Sequence, residues 1–185
     1  MEAFLVSVSA ITLGEIGDKT QLLALLLAAR FKRPRPIVAG IVVAVIANHL
    51  LAGYVGHLLG ARLSPDIGRW ILGLSLLAVA LWTLKPDTLD EDVEPLNGYG
   101  VFLTTCIAFF LAEMGDKTQI VTVLLAARFN DLFAVVAGTT LGMLIADLPA
   151  IFIGHRAADR LPLKAIRIGA AVLFAVLGVV TLAGL

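Results

Sequence analysis

The sequence predicts an all-α membrane protein with six transmembrane helices, arranged as two inverted three-helix repeats. Two observations lead to this fold class. First, 59% of the 185 residues are hydrophobic and only 15% are charged, against about 45–50% and about 25% in soluble domains. Second, the two halves of the chain repeat one another. The composition therefore excludes a soluble enzyme. A net charge of zero argues against nucleic-acid binding, because nucleic-acid-binding proteins usually carry an excess of basic residues.

A helix needs about 20 apolar residues to cross a bilayer, so the chain has room for about six spans. The predicted spans are residues 3–29, 36–59, 67–85, 100–128, 133–155 and 165–185. We expect the first span to be a helix and not a cleaved signal peptide, because Glu2 stands where a signal peptide has basic residues and residues 100–129 nearly copy it.

The duplication appears when the chain is compared with itself at a spacing of 98 residues. Between Glu15–Gly40 and Glu113–Gly138, 15 of 26 positions are identical without a gap. The predicted units are a first repeat at 1–85, an acidic linker at 86–98 and a second repeat at 99–185. Because three spans are an odd number, the second repeat must enter the membrane from the opposite side. Transporters with inverted repeats bind their substrate near the midplane, where the two units meet.

The basic residues of the loops predict the orientation. Nine Lys and Arg residues lie in the first, third and fifth loops, and three lie on the other side. Since the side richer in Lys and Arg faces the cytoplasm, both termini should face outside and the linker should be cytoplasmic. The linker carboxylates are more often a solvated connector than a cation-gathering surface; they are Asp87, Asp90, Glu91, Asp92 and Glu94.

Small residues recur every four positions in the second and fifth spans, which predicts close helix packing. The two rows occupy equivalent positions and are Gly40, Ala44, Asn48, Ala52, Gly56 and Gly138, Gly142, Ala146, Ala150, Gly154. Asn48 is the polar member, and it is interpreted either as an interhelical hydrogen-bond partner or as part of a pore wall.

Ionisable residues inside the spans are the main functional signal, because each costs at least about 2.5 kcal/mol on insertion scales. Glu15, Asp18 and Lys19 are spaced to share one helix face, and Glu at i with Lys at i+4 is the favourable order for an ion pair. Four carboxylates and two lysines sum to minus two, which suits one divalent cation or two protons. The six residues are Glu15, Asp18, Lys19, Glu113, Asp116 and Lys117.

Neutral oxygens accompany these charges one turn further along each span, on Thr20, Gln21, Thr118 and Gln119. A set made only of oxygen ligands suits a hard ion such as Ca²⁺, Mg²⁺ or Mn²⁺. The glycine in the middle of each motif, Gly17 or Gly115, permits either close helix contact or a local break that exposes carbonyl oxygens.

The stretches Glu15-Ile16-Gly17-Asp18-Lys19-Thr20 and Glu113-Met114-Gly115-Asp116-Lys117-Thr118 resemble the ExGDKT signature of the Gdt-type family of small membrane cation/proton exchangers. That family has members in the Golgi, in chloroplasts and in bacteria. The resemblance covers essentially the whole chain and implies a bacterial inner-membrane protein. It also implies that the four motif carboxylates bind the metal and carry protons, and that Lys19, Lys117 and the motif Thr and Gln residues support them.

Asp147 is a further ionisable residue within a span, and it aligns with His49 of the first half. It is interpreted either as an accessory group for protons or cations, as such residues usually are, or as a hydrogen-bonded structural residue.

The predicted function is exchange of a divalent cation, Mn²⁺ first and Ca²⁺ second, for protons by alternating access. The predicted partners are the metal ion as substrate, protons and the lipid bilayer, with no resident cofactor and no nucleic acid; the oligomeric state, monomer or homodimer, stays open. A passive cation channel is the main alternative. An intramembrane aspartyl protease fits less well, because the two segments are copies of each other and each Asp is followed by Lys. An exporter of small organic cations would need an aromatic lining.

Overall fold

The computed structural model describes residues 1–85, 100–153 and 162–184. Within these ranges the chain forms eight α-helices and no strands. They are α1 (Glu2–Glu15), α2 (Lys19–Phe31), α3 (Pro34–Arg62), α4 (Pro65–Thr83), α5 (Val101–Glu113), α6 (Lys117–Phe129), α7 (Leu132–Ile153) and α8 (Leu163–Ala183). The predicted linker at 86–98 lies outside the described residues.

The first and fourth predicted spans are not continuous helices, and of the two interpretations of the motif glycines the structure shows the local break. Each is broken at its motif glycine, which takes a left-handed φ of +83° at Gly17 and +76° at Gly115. A helix cannot continue through that conformation. The next residue, Asp18 or Asp116, has an extended backbone and begins a new helix as its N-cap.

Each of the other four predicted spans is a single helix in its described part, and residues 154 and 155 of the fifth span lie outside the described residues. The span predicted at 36–59 is the longer α3, which begins at Pro34, a residue suited to the first turn of a helix. Within the described ranges, α3, α4, α7 and α8 are long and apolar enough to cross a membrane by themselves. The helices of the two broken spans are 13 or 14 residues long.

The helix boundaries of the two halves coincide at the 98-residue spacing. Glu15 and Glu113 end α1 and α5, Lys19 and Lys117 begin α2 and α6, and Leu163 begins α8 as Pro65 begins α4. The described parts of the two halves are therefore built from the same elements in the same order.

Helices of one half pack mainly against helices of the other. α1 lies along α7, the equivalent helices α5 and α3 lie side by side, and α4 packs against α8. Small residues of the two rows lie in these seams, and Gly154 of the second row falls outside the described residues. A Cβ added to Gly40 would lie 2.8 Å from the Phe102 carbonyl oxygen, and one added to Gly138 would lie 2.6 Å from that of Phe4. The seams let polar side chains of both halves meet in the interior.

The outer helices break the symmetry between the halves. α8 packs against α1, whereas the described residues of the equivalent helices α4 and α5 make no comparable contact. As a result, Leu163 covers Gly17, where an added Cβ would lie 2.7 Å from its side chain. At Gly115, no atom of the described structure lies within 4 Å of an added Cβ. One helix break is therefore covered and the other is open.

Candidate cation site between the two halves

The two helix breaks bring four carboxylates together in the interior. Glu15 is the last residue of α1 and Glu113 the last of α5, and both are fully buried. Asp18 and Asp116, at the N-caps of α2 and α6, are also buried. The breaks thus turn two apolar spans into a polar junction shared by the halves.

Three of these carboxylates form a compact group. One oxygen each from Glu15, Glu113 and Asp116 lies within 4.8 Å of the others. When carboxylates lie this close together in an apolar interior, protons or a cation must neutralise them. The C-terminal ends of α1 and α5 carry partial negative charge beside the two glutamates, which also favours a cation. A group made only of oxygen ligands suits a hard divalent ion.

The lysines pair across the halves and not within their own motifs. Lys19 Nζ lies 3.0 Å from Asp116 Oδ1, and Lys117 Nζ forms an ion pair with Asp18 Oδ1. The predicted pairing of Glu15 with Lys19, and the shared helix face on which it depended, were wrong. The reason is the break at Gly17, which ends the α1 helical register at Glu15. Asp18 and Asp116 thereby link the two repeats.

The motif threonines orient the glutamates. The Thr20 hydroxyl donates to Glu15 Oε2 at 2.8 Å. The Thr118 hydroxyl lies 3.1 Å from Glu113 Oε2 and 3.3 Å from Asp116 Oδ2. The second oxygen of each glutamate, Oε1, is buried and has no hydrogen-bond partner among the residues that the structure describes. These two oxygens are placed to receive a cation or a proton.

The motif glutamines stabilise the breaks. The Gly17 N–H donates to Gln21 Oε1 at 3.0 Å, and the Gly115 N–H donates to Gln119 Oε1 at 2.7 Å. Both glutamine oxygens predicted as metal ligands are thus engaged with the backbone. A sequence signal for this exists, because Asp followed three residues later by Gln is an N-cap with a polar partner at the third helical position.

The amide groups of the two glutamines find different partners. Gln119 Nε2 donates to Asn48 Oδ1 at 2.7 Å, and Asn48 Nδ2 donates to the Phe110 carbonyl at 3.4 Å. Gln21 Nε2 donates instead to the main-chain carbonyl of Ala146 at 2.9 Å. Of the two interpretations of Asn48, the structure shows the interhelical hydrogen bond. Ala146 occupies the position equivalent to Asn48. At this position, the first half offers a side-chain oxygen to the glutamine amide, and the second half offers a main-chain carbonyl oxygen.

Asp147 and His49, at equivalent positions of α7 and α3, are both fully buried. His49 Nδ1 lies 3.4 Å from the Thr140 hydroxyl. Neither carboxylate oxygen of Asp147 has a hydrogen-bond partner within the described part of the chain. Asp147 does not belong to the 4.8 Å core of the carboxylate group, but the residue before it, Ala146, accepts the hydrogen bond from Gln21 at the α1–α2 break.

The fold and the site define a helical membrane protein whose buried carboxylates are arranged for a hard cation. The chain belongs to the divalent cation/proton antiporter GDT1 family, whose model matches residues 3–91 and 101–184. The predicted family is thereby confirmed, and the two matched stretches correspond to the two halves.

Three relatives illustrate the similarity. A Vibrio cholerae protein named "Putative manganese exporter" is 47% identical, over 98% of this chain and 90% of its own length. A GDT1-like protein of Synechocystis is 28% identical over 98% of this chain and 97% of its own. The divalent cation/proton antiporter GDT1 of Saccharomyces cerevisiae is 25% identical over 94% and 81%. No solved structure matches the chain significantly.

Proposed function

We propose that this protein exports Mn²⁺ in exchange for protons, with Ca²⁺ as the second candidate substrate. The observation that carries the proposal is the buried group of Glu15, Glu113 and Asp116, to which both halves contribute. The family name supports the exchange of a divalent cation for protons. The name of the Vibrio cholerae relative supports manganese and the export direction.

The proposed topology has six crossings, with each broken pair, α1–α2 and α5–α6, crossing once. The directions of the packed helices support it. Gly142 approaches Val8 and Ile11 while Gly138 approaches Phe4, so α7 runs parallel to α1. Gly73 and Gly178 approach one another, and Gly184 approaches Arg69, so α8 runs antiparallel to α4. Six crossings with inverted halves require these directions.

The proposed orientation has both termini outside and the linker in the cytoplasm, in a bacterial inner membrane. It rests on the nine Lys and Arg residues of the first, third and fifth loops. Export then means that the cation enters the site from the linker side and leaves on the side of the termini.

The exchange follows from the charge of the site. With the cation bound, its positive charge neutralises the ionised glutamates. When the cation leaves, buried carboxylates this close together cannot all remain ionised, so protons replace it. Because cation and protons compete for the same oxygens, the site carries either one cation or protons and couples their opposite movements.

The asymmetry between the breaks supports alternating access. Lys19 is 26% exposed in its ion pair, whereas Lys117 is 3% exposed in the equivalent pair. The more exposed pair, Lys19 with Asp116, adjoins the open break at Gly115. The more buried pair, Lys117 with Asp18, adjoins the covered break at Gly17. In an inverted repeat, movement of one half against the other exchanges these environments. The structure fits one end state of such a cycle.

The test is cation-driven proton flux in proteoliposomes that contain the full-length protein and an internal pH indicator. We expect Mn²⁺ added on one side to drive protons to that side, and an imposed pH gradient to move Mn²⁺ against its own gradient. Glu15→Gln and Glu113→Gln should abolish both movements. Glu2→Gln is the matched control, because Glu2 is exposed at the start of α1.

Full exchange by Glu15→Gln or Glu113→Gln would contradict the assignment of the site. A passive channel would allow Mn²⁺ to move only down its own electrochemical gradient, so its uphill movement under a pH gradient separates the two functions. Repeating the assay with Ca²⁺ and Mg²⁺ as competitors ranks the substrates.

A further inference from the structure

We propose that Asp147 of α7 supplies a carboxylate oxygen to the divalent cation, as an acidic ligand outside both repeated motifs. This inference rests on the proposed function and extends its site by one residue.

The first argument is the burial of Asp147 without a partner. Its side chain is fully buried, and neither of its oxygens has a hydrogen-bond partner among the described residues. Native structures hydrogen-bond nearly all of their buried polar groups, and an isolated carboxylate in a membrane interior is costly. A residue kept in such a position is explained by a cation that binds there during the transport cycle.

The second argument is the position of Asp147. The preceding residue, Ala146, accepts a hydrogen bond from Gln21 at 2.9 Å, so Asp147 lies alongside the first turn of α2. Gln21 Oε1 in turn accepts the Gly17 N–H at 3.0 Å, which places this part of α7 at the break between α1 and α2. Glu15 and Glu113 each have a buried Oε1 with no hydrogen-bond partner within the described chain. Asp147 thus lies close to the α1–α2 break, on an element that carries neither motif.

The third argument is that the fold itself does not require a carboxylate at this position. The equivalent residue of the first half is His49, which is also buried, with its Nδ1 3.4 Å from the Thr140 hydroxyl. Packing therefore accepts an imidazole where the second half has an acid. The acid of Asp147 is a chemical difference between the halves, located beside the site.

Coordination chemistry gives Asp147 its role. A hard divalent cation takes about six or more oxygen ligands, and the core of the site offers one oxygen each from Glu15, Glu113 and Asp116 within 4.8 Å. Asp147 follows the residue that contacts Gln21 at the α1–α2 break and adds an oxygen from a fourth helix. The cation then contacts α7 as well as the helices of the two motifs.

The test uses the full-length protein in detergent and Mn²⁺ alone as the probe. Mn²⁺ affinity is read from the loss of the free Mn²⁺ electron paramagnetic resonance signal, and thermal unfolding is followed with and without Mn²⁺. Asp147→Asn keeps the shape of the side chain, and Asp147→Glu keeps its charge. Asp131→Asn is the matched control at the N-cap of the same helix, where Asp131 is exposed and its Oδ1 accepts the Ala134 N–H at 3.1 Å.

We expect Asp147→Asn to weaken Mn²⁺ binding about tenfold or more, as loss of groups around metal sites does. It should also reduce the rise in Tm that Mn²⁺ causes, while the Tm of the metal-free protein stays about the same, because the Asp147 carboxyl has no hydrogen-bond partner among the described residues to lose. Asp147→Glu should retain part of the affinity. Asp131→Asn should behave as the unmodified protein, because Asn is as good an N-cap as Asp.

The proposal is overturned if Asp147→Asn binds Mn²⁺ with unchanged affinity, or if it lowers the metal-free Tm and leaves the Mn²⁺-dependent rise intact, as a structural residue would. Glu15→Gln separates this failure from that of the proposed function. Weak binding by Glu15→Gln with normal binding by Asp147→Asn would reject only the role of Asp147. Equally tight binding by both variants would reject the site as a whole.

Discussion

Lys117, which begins α6 of the second half, forms a buried ion pair with Asp18, the N-cap of α2 in the first half. The reciprocal pair joins Lys19 to Asp116 at 3.0 Å. Each motif thus supplies the counter-charge of the other, and the two repeats are linked at the level of the cation site.

The two ion pairs should differ in their contribution to stability. Removing one partner of a buried pair costs about 3–5 kcal/mol, so Lys117→Met should lower the free energy of unfolding by roughly that amount. Lys19→Met should cost less, because water reaches the 26% exposed lysine and weakens its pair. Denaturant unfolding in detergent measures both. The double variant Lys117→Met/Asp18→Asn should recover part of the loss, and equal effects of the two lysine variants would contradict the difference in burial.

The two motif glycines should also differ. Alanine at either position adopts a left-handed backbone at a cost of about 1–2 kcal/mol. Gly17→Ala meets an additional clash, because its Cβ would lie 2.7 Å from Leu163, whereas Gly115→Ala enters open space. We therefore expect Gly17→Ala to lower the Tm more than Gly115→Ala. Adding Leu163→Ala should restore part of the Tm lost in Gly17→Ala but none of the Tm lost in Gly115→Ala. If it raised the Tm of both variants equally, the contact with Leu163 would not be the cause of the difference.

Asn48 should contribute to stability and to transport through its hydrogen bond with Gln119. Asn48→Ala removes the acceptor that lies 2.7 Å from Gln119 Nε2 and should cost about 1 kcal/mol, since a half-buried donor is left without this partner. The loosened glutamine also holds the Gly115 N–H, so Mn²⁺ exchange should slow as well. A double-mutant cycle with Gln119→Ala measures the coupling. Strictly additive effects of the two substitutions would show that the hydrogen bond contributes nothing.

The open break should be accessible from water. In a Cys106→Ala background, Met114→Cys should react faster with a charged, membrane-impermeant thiol reagent than Ile16→Cys, because Met114 is 52% exposed and Ile16 is half-buried. Leu111→Cys is the control for exposure to lipid, since Leu111 is 61% exposed on the apolar helix α5. If Met114→Cys reacts as slowly as Leu111→Cys, the break faces lipid and not water.

The sequence predicted the elements that depend on composition and repetition. The duplication, the motif carboxylates and the packing rows at Gly40 and Gly138 follow from identity, charge and small-residue spacing, which are local properties of the chain. It left open whether Gly17 and Gly115 mark a close contact or a break, because a glycine serves both purposes.

The sequence did not predict the partners of the charged residues. The helical spacing of Glu15 and Lys19 favours an ion pair within one motif, but a left-handed Gly17 cancels that spacing and turns Lys19 toward the other half. The cover of Leu163 over Gly17 depends on how α8 is placed against α1, which no local pattern records. Partner choice here is a property of the assembled bundle.

The two halves carry different residues at two equivalent positions, 48/146 and 49/147. These differences show how far the halves have diverged since the duplication. Two copies of residues 1–85 would carry both motifs' charges but no Asp147, and two copies of the second half would have no Asn48 to hold the glutamine amide. Neither half could therefore rebuild the whole junction as a homodimer. The two halves are complementary and unequal parts of one junction, although their motifs are nearly identical.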